Sequence, residues 1–187
     1  MNRLYRVLLI VATLLASWWG MMVVHEAGHV AGAWATGGTV QEVELSPWAI
    51  SRTDVSPNPS PLIVVWAGPL IGVTIPLLLW LVARKLVPMI APLLRFFAGF
   101  CLITNGAYLA FGSFSAVGDA GDLLRHGASA WQLWLFGLVF MPAGLWLWHG
   151  LGGSFGLGPK AQHVDRRLAV GVAIFAVALF TCLAVRK

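Results

Sequence analysis

The chain has 187 residues, of which 59% are hydrophobic and 10% charged, with a formal net charge of +5 and a mean hydropathy of +0.82. A water-soluble domain carries about 25% charged residues, so this composition excludes one, and so much apolar surface excludes disorder. The two cysteines, Cys101 and Cys182, lie in apolar runs, which excludes a disulfide framework. The chain reads as an integral membrane protein.

Five stretches reach the roughly 20 apolar residues that cross a bilayer. The first is uncharged from Val7 to Val24 and continues through a charged patch to Ala35. Ala16-Ser17-Trp18-Trp19 makes a poor small-residue cleavage site, so this run reads as a span and not as a signal peptide. The other four are Pro61–Ala83, Phe96–Val117, Ala128–Trp148 and Leu168–Val185. Trp66, Trp80, Trp131 and Trp148 stand near their ends, as interfacial aromatic residues do.

One sizeable polar segment, Thr36 to Ser60, separates the first two spans. Gly37-Gly38 stops the preceding helix. Alternation over Thr39–Leu45 and, less cleanly, Trp48–Val55 predicts a small β-hairpin within residues 39–55, with Pro47 at the turn. Gly150 to Asp165 reads as a glycine-rich connection. The expected fold is therefore an all-α polytopic membrane protein of about five transmembrane helices, with a β-hairpin after the first.

The basic residues are scattered at span ends, which suits topology and contact with a lipid bilayer and speaks against nucleic acid. With a cytoplasmic N-terminus, that face holds Arg3, Arg6, Arg84, Lys85, Arg95, Lys160, Arg166 and Arg167. The opposite face holds Arg52, Arg125, Arg186 and Lys187.

His25-Glu26-Ala27-Gly28-His29 carries the chemistry. Histidines at i and i+4 share a helix face and can grip one zinc ion, and Glu26 beside them can take a proton from water activated there. Ionisable side chains in a membrane helix mark functional sites by default. A catalytic zinc needs a third protein ligand and an open position. Asp119 and Asp122, directly after the third span, are the candidates. Counting crossings brings Asp119 to the same face as both histidines. His126 follows the aspartates, while His149 and His163 fall at the opposite end. Asp122 also reads as a cap for the Leu123–Arg125 turn, and Asp54 as a solvated hairpin residue.

With these motifs in place, the sequence resembles the site-2 protease family of intramembrane zinc metalloproteases. His25–His29 matches its first motif, Ala67-Gly68-Pro69-Leu70-Ile71-Gly72 its AGPL segment, and Asp119-Ala120-Gly121 its Asp-Gly-Gly segment. The resemblance spans roughly residues 7 to 125. It implies a three-helix catalytic core with an adjoining β-hairpin within residues 1–127, and two additional helices in 128–187. It further implies one zinc per chain on His25, His29 and Asp119, with Glu26 as general base. Gly68, Pro69, Gly72 and Asn105 would position substrate.

The sequence departs from the pattern at Ala120, where the family has glycine, at Gly118, where it has a bulky residue, and at Gly72, where many relatives have asparagine. The family's usual cytoplasmic catalytic face also runs against the basic-residue count. The activity implied is hydrolysis of peptide bonds within or near transmembrane segments of membrane-protein substrates. Asn105, Ser113 and Ser115 are candidates to line a water path to the site. The short loops suit a bacterial plasma membrane. The competing reading is a non-proteolytic zinc-binding membrane protein, a pseudoprotease or metal-handling protein, which would leave Glu26 without a purpose.

Overall fold

The structure, a computed structural model, describes residues 3–185. Arg186 and Lys187, counted in the charge balance above, lie outside the described residues. The chain order is α1 (Arg3–Ala35), β1 (Val40–Glu44), β2 (Arg52–Val55), α2 (Pro61–Leu86), α3 (Ala91–Ser115), α4 (Gly118–Arg125), α5 (Ala130–Trp148), a short 3₁₀ turn (Leu151–Phe155) and α6 (Arg166–Val185). Five helices, all but α4, are long and apolar enough to cross a membrane, and the chain is a mostly helical membrane-spanning protein. At 1.5 Å per residue, Val7–Val24 alone measures about 27 Å, close to the thickness of a bilayer's hydrocarbon core. His25 begins where that length ends.

The helices close around small residues. Gly99 meets Gly144 and Trp148 across the α3–α5 seam, and Gly106 and Gly137 face each other's helices further along. Gly28 and Gly32 of α1 lie against Ala67 of α2. Pro61 opens α2, where its missing N–H costs nothing, while Pro69 and Pro76 are buried inside that helix. Leu102, Leu109, Leu123, Leu133 and Phe136 build the main core from α3, α4 and α5. Trp148 is no simple interfacial tryptophan. It stacks on Phe96 with ring centres 4.9 Å apart and donates its indole N–H to the Phe96 carbonyl at 2.9 Å.

Two local expectations are corrected. The second strand starts at Arg52, because Ser46–Ile50 forms the turn and Trp48 leaves the ladder to rest against Phe180 of α6, 5.3 Å away. The Gly150–Asp165 stretch is more than a connection. Leu151, Phe155 and Val164 pack with Leu9 and Ala169, closing the bundle at the end away from the histidines.

The turn between α3 and α4 sets up the site. Ala116 takes a left-handed backbone (φ 51°) that ends α3, and Gly118 another (φ 56°) that starts α4. Non-glycine residues rarely adopt that conformation, so this corner is strained in the service of where Asp119 points.

Candidate metal centre

His25, Glu26 and His29 are all buried on the inner face of α1 and form a group that could hold a metal ion. Each imidazole is fixed at its far nitrogen. His25 Nδ1 lies 2.7 Å from Asn105 Oδ1, and His29 Nδ1 lies 2.9 Å from the Val64 carbonyl of α2. Asn105 Nδ2 donates to the Cys101 carbonyl at 2.9 Å, which fixes which amide atom faces His25. Both Nδ1 atoms therefore carry hydrogen, and in the neutral rings both Nε2 atoms present lone pairs.

Those two Nε2 atoms are 3.1 Å apart. Asp119 Oδ2 stands 2.8 Å from the first and 3.2 Å from the second. Three acceptors in so tight a triangle repel one another unless a cation or a proton sits among them. Ligand atoms held about 2.0–2.1 Å from a tetrahedral ion stand about 3.3 Å apart, so the triangle is close to the size such an ion needs. Burial alone would raise the Asp119 carboxyl, but where a proton sits on Nε2 the hydrogen bonds and charge of His25 and His29 outweigh it and hold Asp119 well below the usual carboxylate range. It is a ready anionic ligand.

Asp122 sits elsewhere. It lies in the middle of α4, is half-buried and pairs with Arg125, because α4 continues as a helix through the position where a cap was expected. His126 follows on the cavity wall. His149, at the end of α5, accepts from Arg95 through its carbonyl at the opposite end of the bundle. Asp54 is exposed, as expected of a solvated hairpin residue, and faces Arg52 at 3.4 Å.

A cavity of about 1050 Å³ runs over the triangle. Its walls descend from Asp122 and His126 past Glu26 to Trp18, Met21 and Thr104 on the apolar stretches of α1 and α3. Of the four residues expected to position substrate, Asn105 reaches this cavity; Gly68, Pro69 and Gly72 stay behind it. A Cβ at residue 68 would strike the His29 ring, and one at residue 72 would come within 2.9 Å of Asn105 Oδ1. The two glycines make room for the ring and for the amide that orients the other ring. Ser113 is not on the cavity wall: its hydroxyl donates to the Ala110 carbonyl at 2.6 Å and accepts from Trp134 at 2.9 Å. Ser115 is absent from the cavity wall and exposed. On α3, Thr104, Asn105 and Tyr108 face the cavity instead.

Two residues escaped the sequence reading. Thr53 donates its hydroxyl to Glu26 Oε2 at 2.7 Å. Strand alternation signals it, since Thr53 and Val55 are the inward residues of β2. Tyr108 accepts the Asp119 backbone N–H at 3.1 Å. Its signal is the i+3 spacing from Asn105, which puts both on one face of α3. No protein-family model, curated protein or solved structure matches the chain, so its residues and geometry carry the functional argument.

Proposed function

We propose that this protein is an intramembrane zinc endopeptidase of the site-2 protease type, hydrolysing peptide bonds within or near transmembrane segments of membrane-protein substrates in a bacterial plasma membrane. One observation carries the reading. A buried carboxylate, Glu26, stands beside a histidine–histidine–aspartate triangle and is held by a hydroxyl from the hairpin, at the wall of a cavity that reaches membrane depth. A metal-storage or structural site needs ligands alone. Glu26 could serve there only as one more ligand, whereas Thr53 holds its carboxylate from the hairpin side, which favours a base over the non-proteolytic zinc-binding reading.

In this proposal α1, α2, α3 and the hairpin form the catalytic core, with α5 and α6 as additional helices. His25, His29 and Asp119 hold one zinc per chain. A zinc ion there supplies Lewis acidity, lowering the pKa of water to about 7 and polarising a carbonyl. The chain's own groups do the rest. Asn105 and the Val64 carbonyl fix both rings, and Thr53 fixes Glu26. Glu26 takes a proton from the attacking water as the water oxygen bonds to the carbonyl carbon. It then passes that proton to the amide nitrogen as the C–N bond breaks. The second water proton follows, leaving a carboxylate and an ammonium.

A helical substrate must unwind to expose its carbonyls, and an extended stretch can then pair along the nearby hairpin edge. The test is zinc content and cleavage in one series. Detergent-purified protein is expected to hold about one zinc, and Glu26→Gln to keep zinc but lose cleavage of a fluorogenic apolar transmembrane peptide. Absence of stoichiometric zinc in the folded wild type overturns the proposal.

A further inference from the structure

We infer that Tyr108 is a catalytic residue of this site: its phenol donates a hydrogen bond to the carbonyl oxygen of the bond under attack and strengthens that bond as the oxygen becomes an oxyanion. The inference rests on the hydrolase reading above.

The phenol oxygen is already committed as an acceptor, taking the Asp119 N–H at 3.1 Å. Its hydrogen has no acceptor among the described residues, although Tyr108 is partly buried at the cavity wall. At the cavity wall that hydrogen is free to be donated to whatever the cavity receives. The surroundings are shaped to hold it there. The oxygen lies so close over residue 118 that any Cβ at that position would collide with it. Together with the left-handed backbone there, that suits a glycine where the resembling family carries a bulky residue. The ring itself stands edge-on to His25, with centres 6.0 Å apart.

The two sides of the site then divide the work. Glu26 is held from the hairpin by Thr53, and Tyr108 is held from the α3–α4 corner by Asp119. A base for the attacking water and a donor for the developing negative charge thus come from different walls of one cavity. Such a donor acts most strongly in the transition state, where charge has accumulated, and it keeps its own proton throughout.

The experiment measures binding to the zinc-loaded, full-length protein in detergent. The probes are a capped phosphinic pseudopeptide, Leu-(PO₂⁻-CH₂)-Leu, whose tetrahedral anion mimics the attacked carbonyl, and acetohydroxamate, a small metal chelator. Tyr108→Phe is expected to keep one zinc per chain and to bind acetohydroxamate within twofold of wild type. Its phosphinate affinity is expected to fall about 10–100-fold, the worth of a hydrogen bond to a charged group. Replacing Tyr108 by p-methoxyphenylalanine keeps the oxygen that Asp119 N–H needs and exchanges the donor hydrogen for a methyl group, with unchanged acetohydroxamate binding showing that the methyl does not block the metal. It should show the same selective loss, and it serves if the phenylalanine variant does not fold.

Phosphinate affinity within twofold of wild type in a zinc-loaded variant overturns the role of Tyr108 alone. Loss of zinc from both variants also overturns it, making Tyr108 a support for Asp119. A wild type that holds no zinc, or holds it but binds no phosphinate, overturns the hydrolase reading itself.

Discussion

Asn105 offers the sharpest test of how the centre is held, and Asn105→Leu is the perturbation. The amide oxygen is 2.7 Å from His25 Nδ1, and the residue is 1% exposed. Leucine has the same branched outline as asparagine, though it is bulkier, and its methyls point into the space that Gly72 leaves. The variant strands a buried Nδ1–H, at about 1–3 kcal/mol. Alternatively the ring proton moves to Nε2 and occupies the position meant for the ion. Either route weakens zinc binding by about 10–100-fold, or about 1.4–2.8 kcal/mol, the usual range for losing such an orienting partner. The assay is competition against a fluorescent zinc chelator at fixed pH, with Asp122→Ala beside it. That control removes a half-buried partner of Arg125 and is expected to stay within twofold of wild type. An Asn105→Leu affinity within twofold of wild type would refute the argument that the α3 amide sets the His25 tautomer.

The remaining predictions read other parts of the same arrangement. Asp119→Ala is expected to abolish stoichiometric zinc, whereas Asp122→Ala keeps it; metal analysis of both proteins decides, and the reverse pattern would move the third ligand. Gly72→Ala puts a methyl 2.9 Å from Asn105 Oδ1, so it should lower zinc affinity in the same assay and lower thermal stability by about 1–3 kcal/mol. Thr53→Val removes the hydroxyl that holds Glu26. Cleavage should fall about tenfold with zinc retained, the worth of one hydrogen bond. Gly144→Leu should destabilise the bundle by about 1–3 kcal/mol without changing zinc affinity, because its Cβ would meet the Gly99 carbonyl at 2.6 Å and Ile103 at 2.7 Å, neither of which contacts a histidine ring.

What was legible in the sequence follows from which interactions are local. The spans could be read because lipid demands long apolar runs, and each of the five became a helix within a few residues of its expected ends. His25, Glu26 and His29 could be read because a single helix turn brings them together. Asp119 could be placed on their side by counting crossings, but choosing it over Asp122 needed the left-handed corner at Ala116 and Gly118, which one sequence does not announce. Thr53 and Tyr108 went unread because their partners lie in other elements, Glu26 on α1 and Asp119 on α4. The motif assigns Gly68 and Gly72 to substrate positioning. Their role is set by what fills the space, the His29 ring over Gly68 and the Asn105 amide over Gly72.

This last point bears on what fills the space at residue 72. At position 72 many relatives of the resembling family carry asparagine, and here a glycine stands there with Asn105 projecting into the space from α3. The amide has not vanished from the vicinity; it reaches in from the neighbouring helix and grips His25 Nδ1. The centre therefore draws on four elements at once. Both imidazoles come from α1, one backbone carbonyl from α2, the orienting amide from α3 and the carboxylate from α4. Metal affinity is then a readout of helix docking: separating α2 or α3 from α1 releases one ring orientation while leaving both imidazoles in place. Gly72→Ala and Gly144→Leu test that distinction. Both disturb packing, but only the first does so at a contact that orients a ring, so only the first should carry its cost into zinc binding.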